Sequence, residues 1–391
     1  MRVYFIVGEP SGDILASRLI KAIRNMRPDV QFFGIGGETM RAEGFRSLFD
    51  INILSVMGFA EVVPRLPAIL RRRKEMLAHI KHVQPNVIVS IDSWGYVNSV
   101  LKLLKKSNCT IPKVHYVAPQ VWAWKKGRAK KVARLVDHLM TLLPYEPPLF
   151  EKYGLTCTFV GHPVIENTAN LPIDISLLRK RFRSLSEVEM PENVRVVCVL
   201  PGSRHSEVSR LAPVFVESIK RIQNEIPNLF LLIPAVETMK EEVDGHFKDI
   251  GIPYRIITGQ QARYEAFRMS EFAIAASGTV SLELSACGTP HLIAYTFSAL
   301  TNWMAEVVVK IKYANLINIL ADRFIIPEFV LRNCNAERIA LEAISYLRDS
   351  KKGENQMMLA KEQLKKLKPV DKLPSEKAAE VVLGVIADKT T

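Results

Sequence analysis

Cysteine is scarce in this 391-residue chain, and the five present do not pair. Cys109, Cys157, Cys198, Cys287 and Cys334 are scattered, with no Cys-x-x-Cys spacing. That pattern argues against a cysteine-held zinc site and a disulfide framework, and points to a reducing, cytoplasmic compartment. No apolar run reaches membrane-spanning length. The opening MRVYFIVGEPSGD carries too short an apolar run for a secretory leader, so none is expected. The Gly-x-Gly-x-x-Gly fingerprint is missing, because Gly8 and Gly12 are spaced differently. NAD and FAD are therefore disfavoured, and no cofactor is expected. Nor is there an Asp-x-Asp pair to argue for a bound metal.

What is present is a globular composition, 48% apolar, with length for two domains. The formal net charge is +13, which favours an anionic partner: nucleic acid, acidic lipid or a phosphorylated substrate. The positive charge is clustered. Arg71, Arg72, Arg73 and Lys74 form one group; Lys125, Lys126, Arg128, Lys130, Lys131 and Arg134 form a second. Lys365, Lys366 and Lys368 read as a solvated helix face.

Two halves share one grammar. In the first, β-rich runs at RVYFIVG, VQFFGIGG, NVIVSID, KVHYVAP and HLMTLLP alternate with helical stretches. After the first run, Ser11 or Asp13 can cap a helix whose apolar positions Ile14, Leu15, Leu19, Ile20 and Ile23 share a face. The second half repeats the pattern at VRVVCVLPGSR, LFLLIPA, YRIITG, FAIAAS and HLIAYT. This predicts an α/β chain with two Rossmann-like domains of parallel strands facing across a cleft. Ligands in such sheets bind beyond the carboxyl ends of the strands, where each small-residue turn falls.

The sharpest local signal is FAIAASGTVSLELSACGTPHLIAYT, residues 272–296. It reads as a buried strand, a turn on Ser277 and Gly278, a helix opened by Thr279 and Val280, and a second strand. Free N–H groups at that helix start suit a phosphate. Glu283, one turn further in, can accept hydrogen bonds from ribose hydroxyls. LPGSRHSEV offers a second cradle: Ser203 and backbone N–H groups as neutral donors, and Arg204 as a bidentate partner for a diphosphate. His162, in GHP, can touch the sugar or phosphate, or be structural. Asp92, at a strand end in SIDSWGYVN, can deprotonate a hydroxyl acceptor, as can Glu9; either can instead cap a helix. Trp122 and Trp124 beside a basic helix are either core or a surface for an anionic, partly apolar ligand.

One segment reads as interfacial. Met57, Phe59, Val62, Val63, Leu66, Ile69 and Leu70 lie close together, with Arg71 and Arg72 directly after them. An element that meets anionic lipid has this pattern. Pro64 and Pro67 are expected to interrupt a long core helix.

Taken in order, GEPSGD, SVMGFAEV, YVAPQVWAWKKGR, LPYEP, FVGHP, LPGSRHSEV, ASGTVSLE and NLINILADR resemble the lipid-A-disaccharide synthases nearly end to end. Those are inverting glycosyltransferases with the two-Rossmann-domain (GT-B) architecture. The resemblance implies transfer from UDP-2,3-diacylglucosamine to the 6-hydroxyl of 2,3-diacylglucosamine 1-phosphate. The products are a β-1,6-linked disaccharide 1-phosphate of the lipopolysaccharide anchor, and UDP. It implies direct displacement without a bound metal, with no nucleic-acid partner. It also implies a peripheral place on the inner membrane of a Gram-negative bacterium, and points to a homodimer with exchanged C-terminal segments. Asn318, in NILADR, matches a family position at the nucleotide site, and Ser11 is a further substrate-binding candidate. On this reading residues 1–166 form the acceptor and membrane domain, 167–350 the UDP-sugar domain, and 351–391 a helical segment packing back on the first. Two departures stand out. Gly95 and Asn86 occupy places where many members carry an acid, which leaves Asp92 or Glu9 as the base. The rivals are a related transferase with a polyprenyl-linked acceptor, and a non-catalytic basic protein that binds membrane or nucleic acid.

Overall fold

A computed structural model describes residues 1–51, 59–121, 127–169, 174–184, 190–296 and 312–388. The chain forms two compact units, one of residues 1–163 with 367–391 and one of residues 164–366.

The first unit is built on six parallel strands: β1 (Arg2–Val7), β2 (Gln31–Ile35), β3 (Val87–Ile91), β4 (Lys113–Tyr116), β5 (His138–Thr141) and β6 (Thr156–Phe159). Their order is β2-β1-β3-β4-β5-β6. Helices cover both faces, so the central strands are buried throughout and do not alternate with polar residues. Val3, Phe5 and Val7 pack toward Leu15, Leu19 and Ile23 of the helix Pro10–Met26, and toward Ala378 and Val382 of the helix Pro374–Ala387. Tyr4, Ile6 and Ile88 face the other way, against Met76, Ile80, Val97 and Leu101.

The second unit repeats the plan with β7 (Arg195–Leu200), β8 (Leu229–Pro234), β9 (Tyr254–Ile257), β10 (Phe272–Ala276), β11 (His291–Tyr295) and β12 (Glu328–Val330). The order is β12-β11-β10-β7-β8-β9, again all parallel. The ten strands read from the sequence are present. The two it missed, β6 and β12, are short edge strands with half-buried side chains, whose apolar signal is weak.

Several local expectations are corrected. Neither Ser11 nor Asp13 caps the first helix: Glu9 is the N-cap residue, without a side-chain cap bond. Asp13 is buried, and its carboxylate accepts from the Gly37 and Thr39 N–H groups (2.6 and 2.8 Å) and from the Thr39 hydroxyl (2.6 Å). It thereby caps the next helix, Glu38–Ala42, across the fold. The helix Phe59–Val83 runs through Pro64 and Pro67. Each proline removes one N–H bond near the start of a 25-residue helix, and the later turns anchor through Met76, Ile80 and Val83.

The C-terminal grouping also differs from 351–391. The helix Ser350–Lys365 belongs to the second unit because Gln356 is wired into β11. Its side chain accepts from the His291 N–H (2.8 Å) and donates to the His291 carbonyl (2.9 Å). The chain returns to the first unit at Leu367, whose carbonyl accepts from the His162 N–H (2.9 Å). Gly161, at φ +91°, makes that approach possible: a Cβ there would stand 2.5 Å from Pro369 Cδ.

Candidate active site

Strand order places the sequence motifs. In the second unit the chain runs from β7 outward to β8 and β9, then crosses to β10 on the other side of β7. The crevice between β7 and β10 is thus the topological switch point, where open α/β sheets bind ligands. Ala275 pairs with Leu200, so the turns Gly202–Arg204 and Ser277–Thr279 leave adjacent strand ends. The first unit has its own switch point between β1 and β3, where Gly8–Gly12 and Asp92–Ser93 emerge. In each unit the turns chosen from sequence are brought together by parallel pairing.

In the second unit, the helix Val280–Cys287 opens at Thr279 with no side-chain cap on its N–H groups, and the space over Gly278 is open. The opposite turn is already partnered. Glu207, in the first turn of the helix His205–Glu225, accepts from the Ser203 N–H (3.0 Å) and from Arg204 Nη1 (2.9 Å). Gly202, at φ +128°, lets the carboxylate sit against the backbone. Arg204 remains 58% exposed and presents its other nitrogens outward. A guanidinium steadied on one side and open on the other suits a diphosphate.

Glu283 is less free than the sequence suggests. Its Oε1 accepts from the Tyr264 hydroxyl (2.9 Å) and from Arg263 Nη2 (3.0 Å). Burial raises its pKa, while Arg263 and the Tyr264 bond pull it back. Oε2 carries neither bond.

Asn318, expected at the nucleotide site, is held within the protein. It is fully buried, and its Oδ1 accepts from the Ile325 and Ile326 N–H groups (2.8 and 2.9 Å). Its Nδ2 donates to the Ile326 carbonyl (2.8 Å) and to Glu328 Oε1 (2.7 Å). Every hydrogen-bonding position of the amide is filled by the protein. His162 is also buried, and desolvation lowers its pKa to about 4. It is neutral at physiological pH and brings no charge to a phosphate.

In the first unit, Ser11 is exposed and its hydroxyl donates to Asp92 Oδ2 (3.2 Å). Asp92 and Ser93 both hold left-handed backbone, at φ +51° and +44°. Val117, at the neighbouring strand end, does so at +80°, which is unusual for a β-branched residue. Strain of this kind persists where the surroundings over-determine it, and it collects at functional sites. Gly8 permits the close approach, since a Cβ there would lie 3.0 Å from Ser93 Oγ. Glu9 is half-buried beside them. The space around Gly95 is open.

Of the interfacial residues, Met57 lies outside the described residues, as do the side chains of Phe59, Val62, Val63 and Leu66. Trp122 and Trp124 lie outside them too. Leu70 and Arg71 are exposed and Ile69 is half-buried. Arg72 departs from the lipid-facing expectation: it bonds Glu75 (2.7 Å) and stacks over Phe49 (5.1 Å to the centroid).

The family model described as Lipid-A-disaccharide synthetase matches residues 3–382. The chain belongs to the lipid-A-disaccharide synthase family. A lipid-A-disaccharide synthase of Paramagnetospirillum magneticum is 41% identical over 389 residues, covering 99% of this chain and 98% of the relative. Among solved structures, the fold resembles a UDP-GlcNAc 2-epimerase from Neisseria meningitidis, solved with UDP-GlcNAc bound. The TM-score is 0.64 at 10% identity, over 99% of this chain and 100% of the other. It also resembles MurG of Acinetobacter baumannii, with TM-score 0.54 at 14% identity and 99% coverage of both chains. Those likenesses show the GT-B fold. The polar residues around these candidates that sequence reasoning missed are Glu207, which bonds Arg204, Arg263 and Tyr264, which bond Glu283, and Asn167, which bonds Tyr264. Glu207 was accessible from an acidic third helical position after a glycine turn. The other three carry no local signal, because their role depends on a neighbour distant in sequence.

Proposed function

We propose that this chain joins UDP-2,3-diacylglucosamine to 2,3-diacylglucosamine 1-phosphate, giving the β-1,6 lipid A disaccharide 1-phosphate and UDP. The observation that carries it is the family match through both units, with GEPSGD at the first switch point and LPGSRHSEV and ASGTVSLE at the second. A match of that extent disfavours the polyprenyl-acceptor and non-catalytic readings.

The chemistry follows from the two strand-end sites. Asp92 takes the proton of the acceptor hydroxyl, and the oxygen attacks the anomeric carbon from the face opposite UDP. Its strained backbone and its bond from Ser11 hold the carboxylate in place, and for that reason Asp92 is preferred to Glu9. Arg204, the Ser203 and Ser277 hydroxyls and the N–H groups at Gly278 and Thr279 stabilise the departing diphosphate, the Ser277 N–H being already given to the Ala294 carbonyl (2.9 Å). Glu283 takes the ribose through Oε2. Asn318 and His162 shape the protein around these groups without touching the reacting atoms.

The first unit binds the acceptor and the second the UDP-sugar. Leu70 and Arg71 support a peripheral seat on the anionic inner face of the cytoplasmic membrane. No helix among the described residues is long and apolar enough to cross a membrane. A homodimer would exchange the C-terminal segment, replacing the packing of Pro374–Ala387 on Pro10–Met26 with the same contact from a second copy.

The test is UDP release from the donor in detergent, with and without acceptor. Acceptor-dependent release with disaccharide formed is the expected result. UDP binding without release in the presence of acceptor would overturn the assignment.

A further inference from the structure

Glu283 is held from behind by a chain of hydrogen bonds that starts at the first element of the second unit. Asn167 ends the short helix Val164–Asn167, and its Nδ2 donates to the Tyr264 hydroxyl (2.8 Å). That hydroxyl donates onward to Glu283 Oε1 (2.9 Å). Tyr264 lies in the helix Gln260–Met269, nearly fully buried, with its ring edge-on to Phe267. Arg263, the preceding residue, reaches the same Oε1 (3.0 Å).

We propose that Tyr264, itself oriented by Asn167, is a positioning residue for donor binding: it pins Oε1 of Glu283 and turns Oε2 toward the ribose. The inference rests on the reading of Glu283 as the ribose acceptor.

Its physical basis is directional. A phenol has one proton to give. Asn167 donates to the oxygen, so that proton is directed to Glu283. Burial and the Glu283 charge push the Tyr264 pKa up to about 12, so the phenol stays a donor across the working range. A carboxylate with one oxygen doubly hydrogen-bonded cannot rotate freely, and the second oxygen is presented in a fixed place. Such preorganisation lowers the cost of binding. The charged and titratable groups facing Glu283 are Arg263 and Tyr264 from the neighbouring helix, and Cys287 from its own. On another side of the helix Ser281 meets His291 (2.7 Å), which burial keeps neutral with a pKa of about 4.

The experiment measures UDP affinity against pH for the full-length chain and for Glu283→Ala, Tyr264→Phe, Asn167→Ala and the double variant. Tyr264→Phe is expected to weaken UDP binding about fivefold to tenfold at pH 7, the worth of one ordinary hydrogen bond. It removes an influence that lowers the Glu283 pKa, so the acid limb of the affinity profile moves to higher pH. A packing defect alone would not move that limb. Asn167→Ala is expected to weaken binding by about threefold alone and to add nothing in the Tyr264→Phe background. Wild-type affinity in Tyr264→Phe, with Glu283→Ala impaired, would overturn the positioning role and leave the ribose assignment intact. Full UDP affinity in Glu283→Ala would instead remove the ribose assignment on which it rests. Should Tyr264→Phe fail to fold, Asn167→Ala keeps the ring in place, and unchanged affinity there would overturn the proposal.

Discussion

Replacing Asn318 by alanine separates two roles that the sequence could not distinguish. If Asn318 touches the nucleotide, the variant keeps its stability and loses UDP affinity. If it braces the segment around 325–328, stability falls first. The structure sets the magnitude. Alanine leaves the Ile325 and Ile326 N–H groups without their acceptor, and the Ile326 carbonyl without its donor. Both isoleucines are buried, so water cannot easily replace the amide. At about 1–3 kcal/mol for each unsatisfied buried group, partly relieved by relaxation, the loss is about 3–5 kcal/mol. For a unit of this size that lowers Tm by about 10 °C. Scanning calorimetry on the full chain measures it, and UDP titration well below the variant's Tm measures affinity. The expected pair of results is a large drop in Tm with affinity within about twofold of wild type. An unchanged Tm with lost affinity would refute the bracing role.

Three further outcomes are expected. Asp92→Asn should lower the rate of disaccharide formation by about a hundredfold or more while UDP affinity stays at the wild-type value; an unaltered rate would shift the base to Glu9. Glu146 is 5% exposed, and burial pushes its carboxyl up to about 7. The folded protein therefore binds a proton that the unfolded chain has released between about pH 4.5 and 7, and stability falls as pH rises through that window. Glu146→Gln keeps an acceptor for the Leu143 N–H, so its Tm advantage over wild type should grow from pH 5 to pH 8; a constant difference would count against the buried, proton-holding carboxyl. Arg71→Glu should weaken binding to anionic vesicles by about fivefold or more, with the difference fading at high salt, and equal binding to neutral and anionic vesicles would remove the electrostatic seat.

Much of this molecule is legible locally. The ten strand runs read from sequence stand out because both sheet faces are covered, so their apolar residues are contiguous. The turns at Gly202–Arg204 and Ser277–Thr279 stand out because small residues must sit between a buried strand and a helix start. Family motifs tie those turns to a reaction. Local pattern fails where a partner comes from far away in sequence. Asp13 looks like a cap for its own helix, yet caps one 25 residues on. Arg72 looks like a lipid-facing cation, yet its charge is taken by Glu75 and its face by Phe49.

The α/β class, the two-unit plan, the family and the small-residue turns at the strand ends were all readable in the sequence. Each of these rests on contiguous periodicity or on short motifs. Tertiary structure alone decided which strands became neighbours, and hence that the paired turns meet at the two switch points. It also decided which polar side chains are free to act. Asn318 is consumed by the backbone of 325 and 326, and Glu283 has one oxygen occupied by Tyr264 and Arg263. Hydrogen-bond capacity is finite, and only the folded chain shows how much of it the protein has already used.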